Sequence, residues 1–341
     1  MSREQSLVMK GVAILLMLYL HLFYQYENAM LCVNTFFIGG EPLSLILTRA
    51  SNPVDFFLIL GGYGLYRVYE HGDHHRWVRI FKLFLHYWVI LLIFLIIGHY
   101  LNPERYPGSW LALVYAISSF APSYDGAMWF LFPYVCLSLL SPLYFRLIRH
   151  RPWWAIALVT FVIYMGTSWC ISRHGQRYLY DNYLLYNPLL VLHLLFCFTL
   201  GALAARDGFF NRMEALGART GAARAVAVIS LAVLITVNCV FHYNFLYAFM
   251  VMTCLLMLRI PVGISRILSA LGRQSMNMWM IHMWLCGYLF KDFIYSFRYP
   301  ALILTVLVLL SYGIGLVIDS IARPVEQRLL SRAERKASVA V

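Results

Sequence analysis

Two ionisable residues sit inside the first apolar stretch of the chain, Leu7 to Phe23: Lys10 near its start and His21 near its far end. A charged group within a membrane segment costs roughly 2.5–3.5 kcal/mol on insertion scales, so it faces a cavity or a partner. Eleven positions separate the two, which on a helix is about 16 Å along the axis and about 20° around it. They share one face, about half a membrane apart, and read as two ends of a polar slot. A neutral imidazole in such a slot can take a proton from a hydroxyl, the task of a general base. A histidine bonded to a neighbouring helix would explain His21 alone; Lys10 on the same face favours chemistry.

Other residues could serve the same slot. Asp55 opens a second apolar stretch at a depth costly for an unpaired carboxylate; it can orient a partner, cap its helix or pair with a cation. Gly61, Gly62 and Gly64 follow, and admit either a second helix or a ligand at close range. Arg76, Arg79 and Lys82 repeat every three residues and line one helical face. That row suits the phosphates of a nucleotide-like ligand and equally the anionic headgroups of lipid. The nearby His71, His74 and His75 with Asp73 lack the further ligands a metal site needs, so no metal is expected. Trp129 lies where a loop meets the next apolar stretch, the ordinary place of an interfacial anchor. Ser275, Asn277 and His282 put polar groups into a late apolar stretch, and Ser275 and His282, seven apart, share a face.

The elements that must position these residues are membrane helices. Of 341 residues, 62% are hydrophobic and only 12% charged, too apolar for a soluble core, and several runs are long enough to span a bilayer. The expected fold is an all-α integral membrane protein, a polytopic bundle of about ten transmembrane helices near 7–25, 52–69, 80–101, 127–148, 153–171, 184–205, 224–241, 243–258, 275–290 and 301–322. Stretches 36–47 and 108–121 are apolar but short, and read as re-entrant or interfacial pieces. Residues 1–341 form a single membrane domain that ends in a basic tail, 323–341. The net charge of +12 is spread between apolar runs and forms no single patch, so nucleic acid is not an expected partner. With the N-terminus inside, 21 of the 27 Lys and Arg residues fall on one side; Arg49, Arg105, Arg173, Arg177, Lys291 and Arg298 fall on the other. Both termini are therefore expected in the cytoplasm. No small-residue cleavage site follows the first apolar stretch, which reads as a retained helix. The seven cysteines show no CxxC spacing, so neither a zinc site nor a redox pair is indicated.

Five features, in this order, resemble the acyltransferase 3 family of membrane acyltransferases. Lys10, ten intervening residues and His21 resemble its opening Arg-to-His signature, with Lys in the place of Arg. Val54-Asp55-Phe56-Phe57 with Gly61-Gly62 resembles its second-helix motif, with Gly61 where Ser is common. Arg76-Trp77-Val78-Arg79 resembles its cytoplasmic Arg-x-x-Arg, and Met128-Trp129-Phe130-Leu131 its Trp-Phe-Leu motif. Gly272 to His282 resembles its late Gly-x-x-Ser segment ending in His. The resemblance implies transfer of an acyl group, with acetyl-CoA or another acyl-CoA as co-substrate and no permanently bound cofactor. It implies Lys10, Arg76 and Arg79 on the donor, His21 and Asp55 in catalysis, and Trp129, Ser275 and His282 along the cavity. The implied acceptor is a glycan or lipid-linked sugar, and the implied setting the bacterial inner membrane among its lipids. A transporter or flippase of an anionic metabolite or acylated sugar would need a similar slot, although no internal repeat supports it. A non-catalytic subunit of a polysaccharide-synthesis complex is the third reading. Oligomeric state is not legible in the sequence.

Overall fold

The computed structural model describes residues 1–72, 76–241 and 245–339. It is 82% helical. Ten helices carry the architecture: α1 (Arg3–Phe23), α2 (Pro53–Glu70), α3 (Arg76–Leu101), α4 (Leu131–Ile148), α5 (Trp153–His174), α6 (Tyr183–Arg206), α7 (Gly221–Phe241), α8 (Tyr247–Met257), α9 (Val262–Met283) and α10 (Pro300–Val339). A two-residue hairpin in the loop after α1 pairs Phe37 with Pro42 and Ile38 with Glu41. Gly39 and Gly40, both at positive φ, turn it.

Among the described residues, eight helices are long and apolar enough to cross a membrane. The other two expected spans differ for physical reasons. α8 has 11 residues, about 16 Å of rise. α9 begins thirteen residues before the expected 275, so Arg266, Arg273, Gln274 and Asn277 all fall within it and make it polar. The 108–121 stretch holds a nine-residue helix, Trp110–Ser118, whose Trp110, Leu111, Val114 and Ile117 stay exposed. It is too short to span and suits an interface. The expected basic tail continues α10 as helix through Val339.

A lipid environment follows from the surface. α5 exposes Trp154, Leu158, Val162, Met165 and Trp169, and α7 exposes Val226, Ile229, Val233, Val237 and Val240. Apolar, lipid-facing helices of this kind are stable where no water competes for their backbones. The chain is a multi-pass membrane protein.

Two helix pairs form the inner frame, and in both the backbones touch. A Cβ at Gly11 of α1 would overlap the Leu268 carbonyl of α9, and one at Gly272 would overlap the Leu7 carbonyl. Likewise Gly62 of α2 meets the Phe198 carbonyl of α6, and Gly201 meets that of Ile59. With lipid tails as apolar as Leu, helices gain from close packing, and glycine lets their backbones meet.

Candidate active site

α1 and α9 run parallel from their glycine contact and bring two histidines together. His282 Nε2 stands 3.2 Å from His21 Nδ1, with ring centroids 4.8 Å apart. His282 Nδ1 lies 2.7 Å from the Trp279 carbonyl, and His21 Nδ1 lies 3.0 Å from that of Met17. A carbonyl oxygen can only accept, so in the neutral rings the proton of each sits on Nδ1. His282 Nε2 then presents its lone pair to His21 Nδ1–H. Of the pair's four nitrogens, His21 Nε2 alone keeps an uncommitted lone pair among the described residues, held in a fixed direction. That is the arrangement of a proton acceptor oriented by a second group.

Local sequence supports the placement. α1 starts in a capping box: Gln5 N–H donates to Ser2 Oγ at 3.2 Å, and Ser2 N–H donates to Gln5 Oε1 at 2.7 Å. At the other end of α1 the Tyr295 hydroxyl donates to the Leu22 carbonyl at 2.6 Å. Directly after His282, α9 widens into a π-helical turn, Trp284–Tyr288, a distortion that recurs at functional sites. His282 itself is fully buried.

The remaining expected residues distribute along this frame. Lys10 is half-buried on α1 and has no hydrogen-bond or ion-pair partner among the described residues. Asp55 accepts from Asn52 Nδ2 at 2.6 Å and from the Cys197 thiol; no hydrogen bond joins it to His21 among the described residues. Arg76 and Arg79 fall in the first turn of α3, half-buried, with Arg76 6.0 Å from the Trp77 ring. Lys82, third in that row, is paired with Glu326 at 3.1 Å. Trp129 is half-buried in the 3-10 turn Gly126–Phe130 that leads into α4. Ser275 is buried and donates to its own helix, to Gly272 O at 3.0 Å. Of the glycines, Gly62 serves helix contact, Gly61 faces the Tyr134 ring, where a Cβ would stand 3.1 Å away, and Gly64 opens onto free space. Asp73, His74 and His75 lie outside the described residues.

Two polar features escaped the sequence reading. The first joins α3, α9 and α10. Asn277 Nδ2 faces three acceptors, Gln274 Oε1 at 3.0 Å, Gly315 O at 3.1 Å and Asp319 Oδ1 at 2.8 Å. Its Oδ1 therefore accepts from His86 Nδ1 at 2.7 Å, while His86 Nε2 meets Glu326 Oε1 at 2.9 Å. Asp319 and Glu326 gave no signal because each sits alone in a long apolar or basic run. The second is Asp125. Its Oδ1 accepts the Ala127 N–H at 2.8 Å and caps the 3-10 turn, while the buried Oδ2 has no partner among the described residues. Burial pushes its carboxyl up to about 7, against the Ala127 hydrogen bond. Trp279 Nε1 donates to the Ala127 carbonyl at 3.3 Å, so the Asp125 turn is tied to the residue whose carbonyl orients His282.

The acyltransferase domain of the acyltransferase 3 family matches residues 8–320 of the chain. No curated protein and no solved structure matches it.

Proposed function

Because the chain belongs to the acyltransferase 3 family of membrane acyltransferases, we propose that it moves an acyl group, acetyl in the simplest case, from cytoplasmic acyl-CoA to a hydroxyl of a cell-envelope or exported glycan in a bacterial inner membrane. The observation that carries the reading is the His21–His282 pair, which leaves His21 Nε2 free at the far end of the face that Lys10 occupies. The donor phosphates rest at the cytoplasmic mouth on Arg76 and Arg79. The thioester reaches His21 through the slot, past the unpaired ammonium of Lys10. Sidedness follows from the charge distribution, which keeps the N-terminal ends of α1 and α9 in the cytoplasm.

In the reaction, the acceptor hydroxyl gives its proton to His21 Nε2 as its oxygen attacks the thioester carbonyl. The C–S bond breaks, the imidazolium returns the proton to the departing thiolate, and the products are an ester and free coenzyme A. His282 accepts from His21 Nδ1–H throughout and steadies the imidazolium. Asp55 and Trp129 shape the acceptor side of the slot, and Ser275 lines it between Lys10 and the histidine pair.

The test is acyl transfer from labelled acetyl-CoA by purified protein, comparing wild type with His21→Ala. Loss of transfer by roughly 10²–10⁴-fold is expected for removal of a general base. Undiminished transfer by a folded His21→Ala variant would overturn the assignment.

A further inference from the structure

The N-terminal ends of α1 and α9 flank an open cleft of about 410 Å³ lined by Arg3, Glu4, Leu7, Arg266, Ser269 and Arg273, the four charged residues being exposed and Ser269 buried. Three guanidiniums and one carboxylate give it a formal charge of +2 (3 − 1). Among the described residues, none of the three arginines has a hydrogen-bond or ion-pair partner. Ser269 is 5% exposed, and its buried Oγ has no partner either. A buried hydroxyl without a partner is uncommon in folded proteins, and here it lies among uncommitted cations.

Spacing makes this a shaped site. Arg266, Ser269 and Arg273 follow at i, i+3 and i+7 and line one face of α9, while Arg3 and Leu7 line one face of α1. The cleft lies directly below the contact of the Leu7 carbonyl with Gly272. Guanidinium forks match the oxygens of a phosphate and can grip two at a time. Ser269 Oγ adds a neutral donor, and Leu7 with the arginine stems gives an apolar wall for whatever carries the phosphate. The site is separate from the Arg76–Arg79 row, which belongs to α3.

We propose that this cleft binds a phosphate group borne on a larger amphipathic molecule and thereby clamps α1 to α9. The phosphate can come from an anionic phospholipid of the inner leaflet or from the acyl-CoA donor; the second source rests on the function proposed above. In either case the ligand bridges the two helices at their base. The register between those helices sets the meeting of His21 with His282.

Two readouts on detergent-solubilised full-length protein test this. One is thermal stabilisation by phosphatidylglycerol against phosphatidylcholine in mixed micelles; the other is calorimetric affinity for free coenzyme A. Arg266→Gln/Arg273→Gln is expected to weaken one of them about tenfold or more, and Ser269→Ala about threefold, with the smaller change guarding against misfolding of the double variant. Loss of the phosphatidylglycerol effect alone assigns the site to lipid, and loss of coenzyme A affinity alone assigns it to the donor. Wild type that binds no coenzyme A yet keeps an arginine-dependent phosphatidylglycerol effect would count against the transferase reading and leave the site standing. Both readouts unchanged in folded Ser269→Ala and in the double variant would overturn the site.

Discussion

His21 and His282 each stand ten residues beyond the glycine at which their helices touch, Gly11 on α1 and Gly272 on α9. Ten residues are about 15 Å of helix. Two parallel helices in one register thus carry a backbone contact at one level and an imidazole pair near the other. The close packing of the two helices and the meeting of the two imidazoles are fixed by the same crossing.

The glycine crossing can be probed without touching the histidines. Gly272→Ala places a Cβ into the Leu7 carbonyl, a backbone atom that cannot swing aside, so α1 and α9 must part. Gly64→Ala meets nothing within 4 Å. Gly272→Ala is expected to lower the melting temperature in detergent by several degrees and to cut transfer at least tenfold, with Gly64→Ala near wild type on both counts. Equal behaviour of the two variants would remove the crossing from the account.

If His282 acts through His21, as the proposed mechanism has it, its loss should appear in turnover and leave donor binding alone. His282→Leu leaves Met17 O as the one acceptor for His21 Nδ1–H and frees the ring to rotate. A fall in kcat of about 10–100-fold with KM for acyl-CoA within about twofold is expected, and His282→Asn, which keeps an acceptor, should recover part of it. A rise in KM with unchanged kcat would mean that His282 binds substrate and does not position the base.

Lys10 offers charge without an internal partner, in a place where such a charge is costly. Lys10→Met should raise KM for acyl-CoA about tenfold, and Lys10→Arg should stay within about threefold, since the cation is what the slot supplies. Steady-state kinetics over acyl-CoA concentration separate these outcomes. Lys10→Met with wild-type KM would assign the residue to structure.

Much of this was legible in the chain, for identifiable reasons. His21 and Lys10 announced themselves because an ionisable residue in an apolar run is expensive, and helical periodicity put them on one face. Ser275 and His282 were visible as polar groups in an apolar run, seven apart and on one face. Their partners were not. That His282 meets His21 depends on which helices are neighbours, and single-helix periodicity carries no such information. Gly11 and Gly272 gave no sign of facing each other, because a glycine in a membrane helix marks close approach without naming what approaches. The start of α9 was misplaced because Arg266 and Arg273 depress hydropathy, although the helix they begin is continuous. Lys82 looked like a third phosphate ligand until α10, extended past Arg323, brought Glu326 to it.

That extension makes a stability prediction. Glu326 pairs with Lys82 at 3.1 Å and with His86 at 2.9 Å, and His86 is nearly buried. Asn277 Oδ1 stands at His86 Nδ1, so His86 Nε2 is the nitrogen that faces the Glu326 carboxylate. Removing the carboxylate leaves the buried His86 Nε2 without its partner, whereas the half-buried Lys82 stays in reach of water. Glu326→Ala is expected to lower thermal stability markedly, Glu326→Gln less, because the amide can still accept. The pair Lys82→Met/Glu326→Ala should be less damaged than the sum of its singles. Additive losses in that double-mutant cycle would show that the contact between Lys82 and Glu326 carries no coupling.

Asp125 makes stability depend on pH in a direction that can be worked out. Burial lifts its carboxyl from 3.8 to about 7 in the folded chain. Between those values the native state holds a proton that the unfolded state has released. The native state binds more protons there, so stability falls as pH rises, and the loss is complete above about 7. Asn at this position keeps an oxygen to accept the Ala127 N–H and carries no charge to bury. Wild-type melting temperature in detergent should therefore drop between pH 5 and pH 8, while Asp125→Asn holds nearly level and is the more stable protein at pH 8. Because Trp279 Nε1 donates to the carbonyl of the Ala127 whose N–H this side chain accepts, the variant should also keep its turnover, the turn and its link to His282 being intact. Parallel melting curves for the two proteins across that range would show that Asp125 does not titrate there.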